Sequence, residues 1–240
     1  MSYSSPVLGL QPPQQMHKNQ GRQSSLVRRR FGFSEREADA LSRLTSPEKI
    51  QKHLDNIGYD LGKKGEFRRS PRAVLRDKKA DCFEGALFAA AALRFHGYPP
   101  MVVDLTAVRD DDHVIAVFKR FNHWGAIAKS KYTGLEYREP VHRNIRELVL
   151  SYFEGYFNLA GEKTLRRYSK PVDLAMFDDA EWMTTEKSVL FIAEHLAEMV
   201  HTSLLTRGMV RNLDRVARIQ REAGELGMRK AGLSLSRYQD

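Results

Sequence analysis

A chain of 240 residues with 42% hydrophobic and 29% charged side chains carries enough apolar mass for one core of its own, which excludes wholesale disorder. No apolar run approaches the roughly 18 residues of a membrane span, and Cys82 is the only cysteine, so the reading is a cytoplasmic protein without membrane span, secretory leader or internal disulfide. The formal charge of +9 sits at the ends: residues 1–30 carry +5, residues 207–240 carry +4, and 31–206 hold 26 basic and 26 acidic side chains. A neutral middle with solvated basic tails gives no grounds for a specific nucleic-acid partner.

Three parts are expected: a disordered basic tail over 1–30, an α+β domain with a helical lead-in over 31–206, and a basic helix and tail over 207–240. Pro6, Pro12, Pro13 and the Gln-rich run 11–20 give the first part no periodicity. Ser34 and Glu37 form a capping box opening a short helix with Ala38 and Leu41 inward. Ser46-Pro47 starts a second helix with Ile50 and Leu54 on its inner face, and Ser70-Pro71 starts a third. Asp81 is the N-cap of a fourth, whose sequence CFEGALFAAAALRF is apolar nearly all round, as in a helix enclosed by other elements.

After Gly97 and Pro99-Pro100, strands are expected at 101–105, 113–118 and 124–128, the last two joined by a two-residue turn at Phe121-Asn122. That turn makes paired positions sum to 243, so that Lys119 faces Trp124 and His113 faces Ser130. A helix over 144–157 should cover the sheet, 161–182 reads as irregular, a long amphipathic helix is expected over 186–205, and a last one from about 208 to 226. The fold class is thus α+β: a central Cys-bearing helix packed on an antiparallel sheet, with additional N- and C-terminal helices.

The chemistry centres on Cys82 and His113. A cysteine in the first helical turn meets unpaired N–H groups and the positive end of the helix dipole, which favour its thiolate and could hold an oxyanion. A histidine opening a strand that packs on that helix can act as base and then as acid. The residues equally allow a small buried cysteine and a turn histidine. His113, His123 and His142 lack the spacing of a metal site, and no phosphate-binding loop or dinucleotide fingerprint occurs; the basic turn at 62–65 lacks the required spacing.

The stretches Ala80-Asp81-Cys82-Phe83-Glu84-Gly85-Ala86, Leu93 to Pro100, His113 to Phe118 and Trp124-Gly125 resemble the core of the transglutaminase-like superfamily. The match is firmest over 80–131, and a looser similarity to bacterial transglutaminase-like proteins of unassigned substrate runs over about 70–170. The resemblance implies a papain-like fold and thiol chemistry on amide or peptide bonds, by hydrolysis or acyl transfer through a thioester, with a peptide or small amide as substrate and no cofactor. It makes Cys82 the nucleophile and His113 the base. The family's aspartate is replaced by Ala128-Lys129-Ser130-Lys131, which leaves Ser130 as the third candidate, unless Asp104, Asp112 or Glu136 serves instead. Trp124, Asp81 and Glu84 are the candidate substrate-binding residues. A chain lacking the aspartate could also be a catalytically degenerate binding module of the same fold; oligomeric state is left open.

Overall fold

The computed structural model describes residues 31–62 and 67–230, except for the side chains of 229 and 230. The expected tail over 1–30, most of the basic turn at 62–65 and the stretch 231–240 lie outside the described residues.

The lead-in helices form where their caps predict them. Helix α1 (Glu35–Ser42) has Ser34 as N-cap, with the Ser34 N–H donating to Glu37 Oε2 at 2.7 Å. Helix α2 (Pro47–Asn56) is capped by Ser46 and buries Ile50 and Leu54. The short strand β1 (Gly58–Tyr59) follows, then helix α3 (Pro71–Asp77), capped by Ser70 and ended by Lys78 in the left-handed region at φ 52°. Strand β2 (Lys79–Ala80) pairs with β1 and leads through Asp81 into α4 (Cys82–Phe95). In α4 every residue from Phe83 to Phe95 except Arg94 is buried, as its all-round apolar sequence requires.

The main sheet follows α4. Strands β3 (Met101–Ala107), β4 (His113–Arg120) and β5 (His123–Ile127) run antiparallel, with β6 (Arg138–His142) beyond β5. Phe121 and Asn122 have φ of 52° and 60°, the left-handed pair of a tight hairpin turn, and Lys119 pairs with Trp124 in the predicted register. Alternation divides the sheet into two faces. Val102, Val114, Ala116 and Phe118 pack with α4; Val103, Leu105, Ile115 and Val117 pack with Leu148, Val149 and Tyr152 of helix α5 (Ile145–Phe153). The sheet is therefore the middle layer of three, and the N-terminal residue of α4, Cys82, lies against the start of β4.

Three expectations fail in the last third. Residues 161–182 are not irregular throughout: β7 (Leu165–Ser169) and β8 (Val172–Asp173) both pair with β3, and a 3-10 helix follows at Leu174–Ala180. The long helix over 186–205 is only α6 (Leu190–Glu198). Met199 turns to an extended ψ of 154°, and β9 (His201–Ser203) joins β7 at the sheet edge. Helical periodicity through Val200 is overridden by ladder bonds to β7 and by the bond from His201 Nε2 to Asp104 Oδ2, 2.8 Å, which only the folded sheet provides. The C-terminal helix is likewise two pieces, α7 (Arg207–Arg211) and α8 (Arg218–Lys230). No helix among the described residues is long and apolar enough to cross a membrane.

The lysine pair around Ser130 has a structural use. Lys129, buried, donates from Nζ to the carbonyls of Leu54 (2.7 Å) and Ile57 (3.0 Å) at the C-terminal end of α2, where a cation suits the helix dipole. Gln51 on α2 adds a two-way amide pairing with the backbone of Ala128. Lys129→Met should therefore strand two buried carbonyls and lower unfolding free energy by about 2 to 4 kcal/mol in urea titration. A loss below about 0.5 kcal/mol would show that these bonds are replaced by water.

Candidate active site

Cys82 is the first residue of α4, held there by a capping box in which Glu84 N donates to Asp81 Oδ1 at 2.9 Å and Asp81 N to Glu84 Oε2 at 3.3 Å. Arg68 pairs with Asp81, and Arg69 reaches Glu84 Oε2 at 3.2 Å, so both acidic caps are answered by arginines. Glu84, only 2% exposed, thus fastens the N-terminus of the helix and the 68–69 backbone together, with Arg69 N donating to its Oε1 at 2.8 Å.

The sulfur lies against the first residues of β4. Cys82 Sγ is 3.8 Å from the Asp112 carbonyl, and the N–H groups of Val114 and Phe83 are directed at it. His113, between Asp112 and Val114, is 5% exposed. By alternation its side chain lies on the α5 side, edge-on to the rings of Tyr152 (6.5 Å) and Tyr156 (6.4 Å). Its Nε2 is 3.1 Å from the carbonyl oxygen of Leu135. A carbonyl only accepts, so Nε2 carries the proton and Nδ1 of the neutral ring is left as the basic nitrogen. The sulfur and the imidazole are not hydrogen-bonded to one another.

Both groups are neutral at rest. Burial, reinforced by the carboxylates of Asp81 and Asp111, pushes the Cys82 thiol up to about 12, against the pull of the Val114 and Phe83 N–H groups. Burial, together with the cation of Arg138, pulls His113 down to about 4 despite the Leu135 carbonyl, which favours the imidazolium. The expected activation of the thiol by the helix terminus is thus outweighed by desolvation and by two acids.

Cys82, His113, Ser130 and Asp81 line one cleft of about 1140 Å³, together with Tyr156, Leu135 and Lys131. Ser130 does not hold the imidazole: its Oγ accepts from Tyr132 N at 2.9 Å, since β5 has ended at Ile127 before the register reaches residue 130. Leu135 takes that place with its backbone. Lys131 turns to Asp111 at 2.7 Å. Of the carboxylates offered as substitutes, Asp104 pairs with His201, Asp112 accepts from Ala107 N at 2.8 Å, and Glu136 accepts from Gly134 N at 2.8 Å. Trp124 lies outside the cleft, under Lys119 Nζ at 4.7 Å from the ring centroid, and Glu84 is occupied by the arginine network.

The sequence reading missed the carbonyl of Leu135, the two tyrosines and the buried Asp104–His201 pair. A backbone carbonyl carries no residue signature. His201 Nδ1 lies 2.8 Å from the Met199 carbonyl and its Nε2 on Asp104, whose carboxyl burial raises to about 6 against the bond and charge of His201.

No protein-family profile matches the chain, and no curated protein matches it. Among solved structures, LapG of Legionella pneumophila in an EGTA-treated form aligns over 46% of this chain and 69% of its own, at 14% identity and a TM-score of 0.32. A candidate cysteine protease from Cytophaga hutchinsonii aligns over 50% of this chain at 14% identity and a TM-score of 0.33; only 41% of that chain is spanned. A second structure of Legionella pneumophila LapG gives 13% identity, 50% and 80% coverage, and a TM-score of 0.31.

Proposed function

We propose that the chain is a transglutaminase-like cysteine enzyme acting on amide or peptide bonds through a thioester at Cys82. The observation that carries this is one cleft lined by both the first residue of α4 and the first residue of β4: a thiol, and an imidazole whose Nε2–H is already spent on Leu135. In this reading the neutral imidazole takes the thiol proton as sulfur attacks a carbonyl, and returns it to the leaving amine. The N–H groups of the first α4 turn are the candidate donors to the oxyanion. The carbonyl of Leu135 fixes the tautomer without adding a full negative charge, so the imidazolium is stabilised less than by a carboxylate.

Mass spectrometry of the chain exposed to an activated ester such as p-nitrophenyl acetate tests it. An acetyl adduct on Cys82 is expected, absent in Cys82→Ala and slowed about a hundredfold or more in His113→Ala. The resting neutrality of both groups favours a second reading, a binding module of the same fold without turnover. Adduct formation equal in the chain and in His113→Ala would decide for it.

A further inference from the structure

The register of the sheet lays out the α4-side floor of the cleft row by row. Asp104, whose N–H donates to Ser169 Oγ at 3.0 Å, stands in one row with Ser169 and His201, beside Val114 of β4. In the next row Thr106 pairs with Arg167 and Arg167 with Ser203, across three adjacent strands. Thr106 and Arg167 both line the cleft, as does Asp104.

Each arginine and lysine lining that cleft is answered by a carboxylate, except one. Arg68 is paired with Asp81, Lys131 with Asp111 and His201 with Asp104. Asp60 is held by Arg69, Asp110 accepts from Thr164 Oγ1 at 2.7 Å, and Asp112 has the Ala107 N–H. The exposed guanidinium of Arg167 has neither hydrogen bond nor ion pair among the described residues, and the hydroxyls flanking it, Thr106 and Ser203, make none there either. A planar fork of donors between two hydroxyls is the pattern that binds a carboxylate.

We propose that Arg167 is a specificity residue: it anchors a carboxylate on the substrate, placed some two to three residues from the scissile carbonyl. This rests on the reading of Cys82 as nucleophile. The spacing follows from the sheet. Arg167 is two strands from β4, about 10 Å, and one row of two residues, about 7 Å, beyond the row of Val114, whose N–H is directed at Cys82 Sγ. The diagonal is about 12 Å between backbones, and the arginine stem covers part of it. An extended peptide at about 3.3 Å per residue spans the remainder in two or three residues.

The test uses Cys82→Ala, so that binding is read without chemistry, and two probes that differ only in charge: N-acetyl-triglycine and its C-terminal amide. Titration is followed by NMR on the Arg167 Nε–H resonance and on the Val114 amide. The acid should bind about tenfold more tightly than the amide at low salt, move the Arg167 resonance, and lose the advantage both in Arg167→Gln and in 0.5 M NaCl. Equal binding of acid and amide, no binding of either, or a preference that survives Arg167→Gln would overturn the anchor. A preference that depends on Arg167, found in a chain that forms no ester adduct, would leave the anchor standing and remove the thioester chemistry instead.

Discussion

Alkylation of Cys82 by iodoacetamide should be slow at neutral pH and rise about tenfold per pH unit up to about pH 10. A thiol pushed up to about 12 holds about one thiolate in 10⁵ at pH 7, against a few per cent for an ordinary cysteine. The more basic thiolate is intrinsically the better nucleophile, which recovers more than a factor of ten, so the net rate should be about a hundredfold below that of free cysteine. The sequence alone argues the reverse, because an N-terminal helical cysteine beside a histidine reads as activated. The difference comes from burial against the start of β4 and from Asp81 and Asp111, both of which favour the neutral thiol. A rate that levels off near pH 7 would show a thiolate already formed, and with it an ion-paired dyad at rest rather than a general-base pair.

How much of this could be read from residues follows a physical division. Local chemistry was legible: Ser34 and Glu37, Ser46-Pro47 and Asp81 mark their helix starts, because caps are fixed by atoms within three residues. The β4–β5 register was legible as well, since a two-residue turn with φ near 50° to 60° at Phe121 and Asn122 leaves one pairing only. What failed depends on distant partners. Residues 199–203 keep a helical pattern, yet His201 finds Asp104, 97 positions away, and the chain extends to meet β7. The register argument pointed to Ser130 as partner of His113, but the strand ends first, and the oxygen at the ring is the Leu135 main chain, which any residue type would supply. Lys129 and Lys131, on either side of Ser130, serve α2 and Asp111, partners that are likewise remote in sequence.

The carbonyl of Leu135 makes the imidazole depend on the C-terminal helix, and Gly227→Val should expose that dependence. Thr133 N donates to the Gly224 carbonyl at 2.9 Å, and Met228 is fully buried, so α8 lies directly on the 131–135 segment that leads to Leu135. A Cβ at Gly227 would stand 2.6 Å from the Lys131 carbonyl and 3.1 Å from Thr133 N, backbone atoms that cannot swing away. Valine there must lift the helix or shift the segment, and either lets water reach His113. The folded-state pKa of about 4 lies below the unfolded value, so His113 supports the fold fully above about pH 6.5, and that support is lost as pH falls toward 4 because the unfolded chain takes up the proton first. For this buried ring the loss amounts to about 3 kcal/mol. In Gly227→Val the imidazole should titrate closer to 6.5 in an NMR experiment, and the fall in stability between pH 6.5 and 4 should flatten, while Leu226→Ala, at a position facing solvent, changes neither. An imidazole that still titrates near 4 after α8 has been displaced would mean that the 131–135 segment holds its shape unaided, and that the helix has no part in positioning His113.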